Sequence, residues 1–96
     1  EILYFESRGK KIWIHMKNGE TAFFNGKLSD VAEKLQGGKV PFLRIHQSYL
    51  VNYHFIRSRS KSEVRLVNHT VLPIAEDRRK DFGREYGKLL GGDIDV

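Results

Sequence analysis

The 96 residues amount to one domain, near the lower end of what buries a self-sufficient core, so nearly every apolar side chain is expected inside. Seventeen Lys and Arg against twelve Asp and Glu leave a charge of +5, which favours polyanionic partners, and 40% apolar content with six Phe, four Tyr and one Trp excludes a disordered chain. The chain has no Cys and no apolar run near the roughly 20 residues of a membrane span, which excludes a disulfide framework, a thiolate zinc site, a cysteine nucleophile and a membrane-spanning helix.

The opening EILYFES lacks the basic region of a signal peptide, and with no cysteine present the expected compartment is the reducing cytoplasm. Beginning at Glu1 rather than Met, the chain reads as a domain excised from a longer protein. Ile2 to Phe5 is a run of strand formers closed by Glu6-Ser7-Arg8-Gly9. Ile12, Ile14 and Met16 alternate with Trp13, His15 and Lys17, and Asn18-Gly19 predicts a two-residue type I′ hairpin returning through Thr21 to Phe24. From Leu28 the period changes: Leu28, Val31, Ala32 and Leu35 predict a one-sided helix over one end of the sheet, stopped by Gly37-Gly38.

Phe42 to Asn52, FLRIHQSYLVN, begins as an alternating strand and then places His46, Gln47 and Ser48 at one spot between apolar anchors. Such a pattern predicts a presented tip. Arg57 to Ser62 reads as a basic loop, Asn68-His69 as a two-residue turn with Asn able to take positive φ, and Pro73 limits its strand to an edge or to the end of a ladder. Phe82, Tyr86, Leu89 and Leu90 fall at helical spacing up to Gly91-Gly92. The sum is a mostly β domain over 1–92, compact antiparallel sheets with one short helix between strands and a C-terminal helix, followed by a tail at 93–96.

For chemistry, His15, His46, His54 and His69 lack zinc-finger spacing and i, i+4 pairing with another ligand type, so no metal, and equally no cofactor, is expected. Ser48 follows His46 closely, but neighbouring strand residues diverge, so neither a nucleophilic pair nor any other catalytic residue is predicted. Trp13, Phe23 and Phe24 could stack single-stranded bases; in a domain this small they read instead as core. Basic residues gather at Arg8/Lys10/Lys11, Arg57/Arg59/Lys61 and Arg78/Arg79/Lys80, and spacing alone does not place these on one side. A surface offering both negative charge and hydrogen-bonding edges, as nucleic acid does, suits them and the tip.

The order ILYFES, IWIHMKNG, KLSDVAEKL, FLRIHQSYLVNYHFI and VLPIAEDRRKDF, from Ile2 to Phe82, resembles the LytTR-type DNA-binding domain found at the C-terminus of bacterial response regulators. The resemblance implies loops reading the major groove of double-stranded DNA at paired direct repeats in promoters, hence transcription regulation in a two-component system. It also implies a receiver domain preceding Glu1 and a homodimer on DNA. The family's base-reading side chain after the central His is Gln47 here, with His46 and Ser48 on phosphates, and Lys10 and Lys11 occupy the first loop. Where relatives carry a Ser and then an Arg after LPI, this chain has Ala75-Glu76-Asp77, so Arg78 or Arg79 takes that role or Glu76 selects bases. The expected DNA-binding set is Arg8, Lys10, Lys11, Arg44, His46, Gln47, Ser48, Arg57, Arg59, Lys61, Arg78 and Arg79. A basic module for RNA or single strands is the alternative, and it would use the aromatic residues as stacking surfaces.

Overall fold

The computed structural model describes residues 1–91; the expected tail at 93–96, and residue 92 at the end of the expected domain, lie outside the described residues. Eight strands and two helices follow one another as β1 (Ile2–Arg8), β2 (Lys11–Met16), β3 (Thr21–Asn25), α1 (Leu28–Leu35), β4 (Phe42–His46), β5 (Tyr49–Asn52), β6 (Ile56–Arg59), β7 (Glu63–Leu66), β8 (Val71–Pro73) and α2 (Arg79–Gly91). Short 3-10 turns at Tyr53–Phe55 and Glu76–Arg78 connect them. The strands form two antiparallel sheets, a five-stranded one in the order β3-β2-β1-β5-β4 and a three-stranded one in the order β6-β7-β8.

Alternation along the strands gives the large sheet two apolar faces, which is why its sequence carries apolar residues at consecutive positions. On one face Phe5, Ile12 and Leu50 meet Leu28 of α1. On the other, Tyr4, Leu43, Ile45 and Val51 pack with Val64, Leu66 and Leu72 of the small sheet and with Phe82 of α2. Helix α1 therefore covers a face of the sheet rather than its end, and it does so with one fully buried side chain, Leu28. The buried Asn52 ties the crossover between sheets: its Nδ2 donates to the Ile2 carbonyl at 2.9 Å and its Oδ1 accepts from His54 N at 2.9 Å. Among the described residues no helix is long and apolar enough to cross a membrane.

Several local expectations are corrected. Strand β1 runs on through Glu6 and Ser7 to Arg8, because those residues pair with Trp13, Ile12 and Lys11. The basic stretch after Phe55 is strand β6 as far as Arg59, not loop, since Ser58 and Arg59 pair with Arg65 and Val64. Phe23 and Phe24 sit on the outermost strand at 51% and 40% exposure rather than in the core, and Leu90 is exposed at 56%. Among the described residues β3 pairs only with β2, and its other edge is open.

Both Asn-containing hairpin loops hold three residues, not two. In each, the amide of the third loop residue donates to the carbonyl preceding the loop, Gly19 to Met16 at 3.0 Å and His69 to Leu66 at 2.9 Å. The Asn side chains accept from Glu20 N and Thr70 N, and the positive φ falls on the residue after each Asn, 92° at Gly19 and 74° at His69. An extra residue in this left-handed position matches the right-handed twist of the strands as a type I′ turn would. Gly takes it freely, whereas His is strained there by about 1 kcal/mol. His69→Gly should therefore raise the stability of the domain by about 0.5–1 kcal/mol, read as a higher urea midpoint; an unchanged or lower midpoint refutes the assignment of strain to His69.

Candidate nucleic-acid interface

The β4–β5 turn is held from several directions. The ladder slips between Arg44 and His46, and this irregularity lets the Arg44 guanidinium fold back beneath the turn. Its Nε donates to the His46 carbonyl at 3.0 Å and its Nη2 to the Gln47 carbonyl at 2.9 Å. Ser48 N donates to His46 Nδ1 at 3.0 Å, which fixes the ring against the backbone of the turn. From β1, Ser7 N donates to the Ser48 carbonyl at 2.8 Å. The one side chain of the turn left fully in water is Gln47; His46 and Ser48 are half-buried, and the His46 ring lies 5.3 Å from Tyr49.

Two neighbouring loops border this turn. The β1–β2 turn is Gly9-Lys10, with φ 62° at Gly9, the signature of a type II′ hairpin that sets Lys10 at the second corner. One surface depression is lined by Lys10, Asn25, Lys27, Arg44 and Gln47. On the other side Ala75 N donates to the Ile45 carbonyl at 2.8 Å, which docks the Glu76–Arg78 turn against the end of β4. A second depression, lined by Arg59, Lys61, Glu76, Arg79 and Lys80, joins that turn to the β6–β7 loop. Burial lowers the pKa of Arg44, and the like charge of Arg78 lowers it further, a mark of how near the two guanidinium groups stand.

The twelve expected residues thus divide by what already engages them. Lys10, Gln47, Lys61 and Arg78 belong to these loops, and Lys10, Gln47 and Lys61 are exposed. Arg44 and His46 brace the turn from within. Arg8 Nη2 donates to Glu6 Oε1 at 2.9 Å and its guanidinium lies 5.0 Å from the Trp13 ring, while Lys11 Nζ lies 4.5 Å from the Phe23 ring. Arg59 rests on α2, 5.2 Å from both the Phe82 and Tyr86 rings, in a space kept open by Gly83. Arg79 Nε donates to the Ile74 carbonyl at 3.2 Å. Arg57 stands in the β6 bulge and lines neither depression.

Two cations that line these depressions were missing from the expected set, Lys27 beside Gln47 and Lys80 beside Lys61 and Glu76. Lys27 occupies the N-cap of α1, where a Gly-Lys pair before a helical period marks a loop end, and Lys80 continues the Arg78-Arg79 run.

A family profile for the LytTr DNA-binding domain matches residues 1–86. The chain belongs to the LytTR family of DNA-binding domains. Among solved structures it is similar to a LytTr DNA-binding domain from Bacillus cereus, titled as part of a methyl-accepting/DNA response regulator, with a TM-score of 0.67, 23% identity, and coverage of 94% of this chain and 81% of that one. At that identity the likeness is one of fold. No curated protein matches.

Next to the β4–β5 turn of this LytTR domain lies a small ionic cluster. Glu6 Oε1 accepts from Arg8 and from His15 Nε2, each at 2.9 Å, and the His15 ring stacks on Tyr4 with centroids 4.2 Å apart. Burial pushes the Glu6 carboxyl up, but the hydrogen bonds and charges of Arg8 and His15 outweigh it and hold the carboxyl below its usual range. A depressed carboxylate contributes stability above its unfolded pKa, and that contribution is lost as pH falls through the folded value. Stability should accordingly fall on acidification below about pH 5, and Glu6→Gln should cost about 1 kcal/mol at pH 7 and flatten this acid limb. Urea midpoints across pH would check it, and an acid limb of equal slope in the variant would exclude Glu6 as its source.

The guanidinium fork under the turn has its own consequence. Arg44→Lys keeps the charge but loses the second carbonyl, so Gln47 should be presented less rigidly, with about a tenfold loss in affinity for a preferred DNA site. Equal loss on non-specific duplex would show that Arg44 acts as a charge rather than as a brace.

Proposed function

We propose that this LytTR domain binds double-stranded DNA sequence-specifically, entering the major groove with the β4–β5 turn and reading an adenine through Gln47. A two-stranded ribbon fits a groove about 12 Å wide, and a Gln amide matches the N7 acceptor and N6 donor of adenine. The observation that carries the reading is the contrast at the turn: a backbone held by Arg44, His46 and Ser7, and one exposed amide side chain at its summit. Rigid presentation matters because ordering a loose loop on DNA would consume part of the binding energy.

Lys10 and Lys27 on one side, and Lys61, Arg78 and Lys80 on the other, supply sequence-independent phosphate contacts. Glu76, at the place where relatives carry an Arg, accepts from a cytosine N4 or excludes other bases, with Arg78 as the nearer guanidinium. The domain acts as the output part of a cytoplasmic bacterial response regulator, without catalysis of its own, controlled by a receiver domain ahead of Glu1. Copies lie on paired direct repeats in promoters, each using its own turn. The single-strand alternative draws on the exposed Phe23, where a base would have to displace the Lys11 ammonium lying 4.5 Å from the ring and stack beside Trp13, 4.9 Å away.

Selection from a randomised duplex library, followed by salt-titrated binding, tests both kinds of contact. Gln47→Ala should cost about 1–3 kcal/mol on the selected site and little on random duplex. Lys10→Ala and Lys61→Ala should each weaken binding to all duplexes and reduce the salt slope by about one unit. Equal losses for Gln47→Ala on both DNAs, or preferential binding of single strands, would overturn the proposal.

A further inference from the structure

An open sheet edge, with its row of unpaired amides and carbonyls, is a template for another strand unless something blunts it. The two sheets have four edges, β3, β4, β6 and β8. Both helices pack against β4, β6 carries Arg57 and Arg59, and β8 ends in Pro73, which has no N–H to offer. Strand β3 has none of these devices. It reads Thr21-Ala22-Phe23-Phe24-Asn25, uncharged and exposed at every residue.

The ladder with β2 fixes which backbone groups face outward. Met16 N donates to the Glu20 carbonyl at 2.9 Å at one end, and Gly26 N to the Lys10 carbonyl at 3.1 Å at the other. Antiparallel alternation between those pairs turns the N–H and C=O of Ala22 and Phe24 toward β2, and those of Thr21, Phe23 and Asn25 toward the open edge.

We propose that β3 pairs with β3 of a second copy of this chain, antiparallel and centred on Phe23, so that two five-stranded sheets become one. In that register Phe23 meets Phe23 and Thr21 meets Asn25, which satisfies every outward backbone group of the strand. The intervening positions, where side chains approach most closely, set Ala22 of each copy against Phe24 of the other. A strand that matches itself about a two-fold axis, with small opposite large, is what an isologous interface needs. Trp13 extends the apolar strip behind Phe23.

A five-residue seam buries roughly half of the about 800 Å² per partner of a standard interface, so the association is weak and concentration-dependent. Lys11 beside each Phe23 brings like charges toward the seam, which salt screens. The pair has a geometric consequence that rests on the DNA-binding reading above. Asn25 lies at the end of β3 nearest the recognition turn and Thr21 at the far end, so in the pair the two turns point opposite ways. Such a pair bridges two duplex segments and is separate from side-by-side occupancy of repeats.

Sedimentation of the full chain without DNA, from about 10 µM to about 1 mM, should shift from monomer toward dimer, more at about 0.5 M salt than at about 0.05 M. Thr21→Pro, which removes an outward N–H that β2 does not use, and Ala22→Lys, which sets a charge against Phe24 of the second copy, should each abolish the shift. Both should keep the thermal midpoint and the affinity for a single duplex. Capture of a labelled duplex by an immobilised one should occur with the unmodified chain and fail with either variant. A monomer at every concentration, or a dimer that both variants retain, overturns the pairing. Pairing without capture by a chain that still binds single duplexes overturns the bridging alone. Loss of duplex binding itself counts against the DNA reading and leaves the sedimentation result to decide the pairing.

Discussion

Two backbone hydrogen bonds at the end of the large sheet organise this LytTR domain: Ser7 N to the Ser48 carbonyl and Ala75 N to the Ile45 carbonyl, each 2.8 Å. They run in opposite directions from the β4–β5 hairpin and draw in the β1–β2 turn on one side and the Glu76–Arg78 turn on the other. Each closes a long loop of chain, the first across some forty residues and the second across about thirty, and such closure is stable only where a packed core holds the flanking strands. That core is supplied by Leu43, Ile45 and Val51 against the small sheet and Phe82. Without these joints the cationic loops would be three unrelated features of the surface.

The charge of the domain is spent unevenly. Arg44, Arg59 and Arg79 are drawn into the structure by carbonyls or aromatic rings, while Lys10, Lys27 and Lys61 at the same end are exposed. The division follows from the side chains: a planar guanidinium has several donors in a fixed fork and a weakly hydrated face, so it braces carbonyls and lies on rings, whereas an ammonium keeps its water. Arg44 is the clearest case, a half-buried cation whose two donors replace the missing partners of the carbonyls at the β4–β5 turn. Exposed lysines around a braced turn suit phosphate contacts, which need charge near a backbone more than fixed geometry.

The exposed aromatic pair on β3 has the opposite character, apolar surface on a strand whose neighbours are all paired. Among the described residues only β2 pairs with this strand. The open edge is therefore a product of strand order as much as of the residues on it.

The sequence by itself determined the mostly antiparallel β class, the helix from Leu28, the C-terminal helix, the strand with Pro73 at an edge, and the FLRIHQSYLVN hairpin with Gln47 at its summit, because period, Gly and Pro act locally. It also carried the family, on motifs spread over nearly the whole chain. Tertiary structure alone decided which cations are free, since Arg59 and Lys61 are alike in sequence and differ only in that one meets Phe82 and Tyr86 across a gap left by Gly83. It also decided that Phe23 and Phe24 are exposed, that the stretch after Phe55 is strand, and that Lys27 stands beside Gln47. These outcomes depend on which segments, far apart along the chain, come to lie side by side, and no local pattern of side chains encodes that.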